Sequence, residues 1–283
     1  MNNKTKIMLG LSVLTAGTLA AGATGTLAWF TTNKTATATY KNIVAVGTQG
    51  NINATISGVT DNAIATKTEG NNFEATGSAS KMSDVSSKDG MKFAQPDWVS
   101  KAGSDFHSIK DVSTLPGYFT QYTITITNSA ATENEQSDTS KLDLYLTGVE
   151  ITTPGTTSIA DWTRIAVIEN VSGDNGFLTK TDNEPITHVY QKTVTASNQT
   201  YVEPQETVGK MDETVIKKDT GIKAATTTLA DKVNIGTNVA KGGTKTVGVS
   251  VWVEGTLDND QDTAKGQSVS VKLTFSAEAS ATK

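Results

Sequence analysis

Three aspartates at alternate positions, Asp258, Asp260 and Asp262 in LDNDQDTAKGQ, come nearest in type and spacing to a metal site. Carboxylates at the first, third and fifth positions of a loop can gather oxygen ligands round calcium. Thr263, however, stands at the sixth position, where such a loop needs its turn glycine, and Val269 stands at the twelfth, in place of the bidentate glutamate. The stretch therefore reads first as an acidic hairpin loop between two strands, and calcium is the one cofactor it offers. His107 and His188 are the two histidines. They lie far apart and outside any H-E-x-x-H pattern, so no helix face presents paired imidazoles and a general base to zinc. The chain has no cysteine, which removes disulfides, thiolate metal sites and cysteine nucleophiles together. A G-x-S-x-G elbow, a phosphate-binding loop and a dinucleotide fingerprint are also missing. These residues describe a non-enzymatic chain, and a secreted metallopeptidase is left without its motif.

Binding chemistry is scarcely better marked. The net charge is -5, and the acids and lysines are spread along the chain. No basic stripe exists to neutralise phosphates, which excludes nucleic acid as a main partner. Trp29, Phe30, Trp98, Trp162 and Trp252 could form a stacking set for a glycan, and Trp252 has the opposite parity to Val247, Val249, Val251 and Val253, which reads as exposed. Scattered aromatics in a β-protein are more often core or rim. A monomeric cell-surface module for a glycan or other ligand is the alternative reading.

The first residues say where the chain goes. Lys4 and Lys6 precede an uncharged run to Phe30 that ends in small residues, the layout of a secretory leader. Thr26–Ala28 offers small side chains where a signal peptidase reads, so cleavage is expected between Ala28 and Trp29. The expectation is a secreted, extracellular or surface-bound protein that meets the membrane only through its uncleaved leader. GTLAWF, followed by a polar stretch and the strand ATATYKNI, resembles the leader region of the TasA and camelysin family of secreted proteins and its archaeal relatives. That resemblance covers the first fifty or so residues, with a weaker echo near the C-terminus. It implies a dedicated signal peptidase, extracellular fibres, and a jelly-roll sandwich whose N-terminal strand is donated to the next subunit.

The elements that would position such a strand are strands themselves. Ala36, Ala38 and Tyr40 alternate with Thr35, Thr37 and Thr39; Ile52, Ala54 and Ile56 alternate with Asn53, Thr55 and Ser57. The same period-two pattern runs through Tyr122–Thr127, Leu142–Leu146, Val247–Val253 and Val269–Phe275. WTRIAVIEN reads as a strand with room for a helical turn before it, Gly248 as a close-packing position, and AATTTLADKV as a weak helical candidate. Residues 60–92 read as a surface excursion or an insertion at a sheet edge. The fold class is all-β, an antiparallel jelly-roll-like β-sandwich with long loops, divided as leader 1–28, N-terminal donor strand 29–46 and sandwich 47–283. A strand near a free terminus can pair at its own sheet's edge, stay disordered, or enter another copy. The last is expected here, with Ala36, Ala38, Tyr40, Ile43 and Val44 as interface residues of a homopolymer built without covalent links.

Overall fold

In the computed structural model the described residues are 38–47, 52–60, 63–66, 75–82, 84–98, 106–115, 117–129, 141–153, 159–192, 200–201, 222–254, 257–258 and 268–280. They form an all-β protein of two stacked sheets. The first sheet runs β16 (Val233–Val239), β9 (Leu142–Thr152), β19 (Ser268–Ala279), β1 (Ala38–Gly47), β4 (Ala75–Met82), β3 (Ala63–Thr66). The second runs β15 (Lys223–Ala225), β13 (Ile186–Lys192), β10 (Thr163–Glu169), β17 (Thr244–Glu254), β8 (Thr120–Asn128), β2 (Ile52–Gly58), with β5 (Asp84–Val85) beside one end of β17. Smaller pairs are β6 (Ala94–Trp98) with β7 (Phe106–Asp111), β11 (Val171–Asp174) with β12 (Phe177–Lys180), and β14 (Thr200–Tyr201) with β18 (Leu257–Asp258). One helical turn, α1 (Ile159–Trp162), leads into β10.

The core between the sheets is the alternation made solid. Ile52, Ala54 and Ile56 of β2 meet Tyr122, Ile124 and Ile126 of β8, Val247, Val249 and Val251 of β17, and Val269, Val271 and Phe275 of β19 in one buried cluster. A side chain of this kind gains about 1.5–3 kcal/mol by leaving water, so each strand's parity is fixed by which face is covered.

A second core lies on the other face of the second sheet, and the sequence reading missed it. Trp252 is fully buried there, not exposed. Its ring meets Phe93 edge-on, and Phe93 stacks on Phe119 with centroids 3.7 Å apart. Val85, Val112, Val171 and Leu178 belong to the same cluster. Parity alone made Trp252 a surface residue because one covered face was assumed, whereas here both faces are covered. The polar segment 60–92 divides accordingly: β3 and β4 extend the first sheet at its edge, and Val85 to Phe93 closes over the second.

Gln121 ties this outer layer down. Its side-chain amide donates to Gly90 O and Ser250 Oγ, both at 3.1 Å, and its Oε1 accepts from the Leu178 amide at 2.8 Å. Gly90 has φ 72°, and a Cβ there would stand 2.5 Å from the Ala166 Cβ, so only glycine fits the approach. The helical candidate around AATTTLADKV is instead β15, a loop and the start of β16. Its threonines gave little helical preference for packing to reinforce.

Candidate functional site

Of the expected interface residues, Ala38, Tyr40, Ile43 and Val44 lie in β1, and Ala36 lies outside the described residues. Strand β1 is interior, paired parallel to β19 and antiparallel to β4. The register sets Tyr40 opposite Val269, Ile43 opposite Val271 and Ala45 opposite Leu273. Those three partners are buried. Val44 stands opposite Lys272, which is exposed. Tyr40 and Ile43 both stand opposite buried residues of β19 because the pairing shifts between Tyr40 and Asn42. Such a bulge adds one residue to a strand, and no alternation rule could have placed it.

The neighbours explain why β1 is parallel to one side. β19 and β4 run in opposite senses, so any strand between them must be parallel to one and antiparallel to the other. In the first sheet, β4 and its neighbour β3 reach β19 only through β1. Strand β1 thus fills a slot whose walls are β19 and β4.

Elsewhere several charged side chains are paired. Arg164, the only arginine in the chain, donates from Nη1 to Glu254 Oε2 at 2.7 Å, and both side chains are almost wholly buried. Trp252 Nε1 donates to the same oxygen at 3.2 Å. At one end of the inner core, Glu169 lies 3.6 Å from Lys245 Nζ and 3.7 Å from His188 Nε2. No serine, threonine or cysteine nucleophile is joined to this cluster by any described hydrogen bond. Among the described residues, no group of three His, Asp or Glu side chains could hold a metal ion. Asp258 lies in β18, opposite Thr200; Asp260, Asp262, Ala28 and Trp29 lie outside the described residues. No helix among the described residues is long and apolar enough to cross a membrane.

Two other anchors were not foreseen. Asp143 accepts from Ser280 Oγ at 2.6 Å and from the Asn238 amide at 2.9 Å, which holds its carboxyl below the usual range. Asp111 is lowered in the same way by Ser113. Comparison of the chain with protein-family models, curated proteins and solved structures finds no match.

Proposed function

We propose that this protein is a secreted structural subunit that polymerises into extracellular fibres by lending β1 to the slot of the next copy. The observation that carries the reading is the position of β1: first of the described strands, interior to a sheet, and intercalated between two strands of opposite sense. We read the strands around it, β16-β9-β19 in one sheet and β8-β17-β10-β13 in the other, as a jelly roll in which β4 would be the next neighbour of β19. A strand inserted at that point is an addition to a sheet whose plan does not require it.

Exchange costs little in principle. A donated β1 would make the same ladder bonds, each worth about 0.5–1.5 kcal/mol net, as the strand it replaces. The balance between self-pairing and donation then falls to residues 48–51, which alone link β1 to β2 in the opposite sheet, and to concentration. Because head-to-tail donation need not close, it generates a filament. Removal of the leader would free the donor.

The placement of β1 in its own sheet also favours the second reading, a monomeric surface module. One experiment separates them. In this cysteine-free chain, Asn42→Cys with Ser270→Cys places two thiols at facing positions of β1 and β19. Oxidised protein beginning at Trp29 is expected to run as a ladder of covalent multimers and to show filaments by negative-stain electron microscopy. Closed monomers without filaments would leave the surface module as the reading.

A further inference from the structure

Four strands end the two sheets: β3 and β16 in the first, β15 and β2 in the second. An open edge presents a row of amide and carbonyl groups, and folded proteins keep such edges short, bulged, charged or proline-bearing. Strand β15 is three residues long and carries Lys223, and β3 has four residues. Strand β16 is longer, but its pairing with β9 slips twice and Asn238 within it has φ 52°. Strand β2 shows none of these devices. INATISG runs for seven residues in unbroken register with β8 and holds neither charge nor proline.

The ladder fixes which groups of β2 face away from the sheet. The Val59 amide, just past β2, donates to Gln121 O of β8. Alternation along an antiparallel pair then turns the main-chain groups of Asn53, Thr55 and Ser57 toward β8, and those of Ile52, Ala54 and Ile56 away from it. The side chains of Ile52, Ala54 and Ile56 are buried, while Asn53 and Ser57 are exposed. Among the described residues no strand pairs with the outward side of β2.

We propose that this edge is a homotypic interface, at which a second copy of the chain adds its own β2 antiparallel about a twofold axis perpendicular to the sheet. Such an axis keeps the buried faces of both copies on one side, so Ile52, Ala54 and Ile56 of each copy continue the core across the seam. A foreign strand would find no charge and no side-chain pocket on β2 to select it, whereas a second β2 matches it in length and pleat. Two copies, each of net charge -5, meet at this edge without opposing any charge of β2 itself. The interface is separate from the β1 slot and would join fibres side by side.

Single-cysteine variants of the chain beginning at Trp29 test this. Facing residues of an antiparallel pair have Cα atoms about 4.5–5.5 Å apart, within disulfide reach. The axis sets one residue of β2 opposite its own copy, so at least one of Asn53→Cys, Ala54→Cys, Thr55→Cys, Ile56→Cys and Ser57→Cys is expected to give disulfide-linked dimers well above those of exposed Lys180→Cys, the measure of random collision. Ala54→Pro removes an outward amide and leaves the bonds to β8 intact. It is expected to weaken the dimer about tenfold or more in sedimentation. Asn53→Lys with Ser57→Lys, both at exposed positions, should do the same and serves where the proline variant does not fold. Crosslinking no greater than that of Lys180→Cys, or dimers that survive these substitutions, would overturn the proposal. Dimers without the β1–β19 ladder would leave it standing and remove the fibre reading.

Discussion

Glu254 and Arg164 are charged groups held almost entirely out of water, and each is tolerable only because the other is there. Removing one partner of such a pair leaves an uncompensated buried charge, at a cost of about 3–5 kcal/mol. Glu254→Ala is expected to lose that much in urea unfolding. Arg164→Met combined with Glu254→Gln should recover most of it, because no charge remains and Trp252 Nε1 keeps an acceptor. Tyr190 is a different case: burial pushes its phenol up to about 12, against about 10 in an unfolded chain. Tyr122 is raised as well, by the same burial. A raised folded value means that their contribution to stability is complete below about pH 10 and is lost as pH climbs toward the folded values, since the unfolded chain gives up protons that the folded one retains. Absorbance titration is expected to show Tyr122 and Tyr190 ionising together with alkaline unfolding. Their ionisation at pH 10 in folded protein would contradict the burial.

Among elements, β17 carries most of the architecture. Its valines face the inner core while Trp252 enters the outer one, so both faces of one strand are spent on packing. Gly248 is where the β11–β12 hairpin comes down on it: an added Cβ would lie 2.6 Å from Val171 Cγ2 and 2.7 Å from Leu178 Cδ1. Overpacking of this kind costs about 1–3 kcal/mol. Gly248→Ala should therefore lower the urea midpoint, and Leu178→Ala in the same chain should restore part of the loss by clearing the space. Reading Gly248 as a close-packing position from sequence was sound, because glycine in an otherwise apolar strand has few other uses. The strand β10 was legible too, with room left for the helical turn before it, and Trp162, Ile165 and Val167 lie in the inner core.

At the scale of the molecule, the two proposed strand meetings would use separate parts of one chain. On the proposed reading, the β1 slot would exchange one copy's strand for another's, balanced by its linker, whereas the β2 edge would add a strand where the described residues show none. The first would set the length of a fibre and the second its thickness. Local pattern was enough for the all-β class, the inner core and the existence of the terminal strand, because period-two alternation records directly which residues one covered face must bury. The tertiary structure alone decided the slot between β19 and β4, the bulge that brings both Tyr40 and Ile43 opposite buried residues, the second core over Trp252 and the β2 edge that pairs with no further strand among the described residues. Each of these depends on which distant strands become neighbours. That choice is made by packing between segments far apart in the chain, and no short stretch of residues carries a record of it.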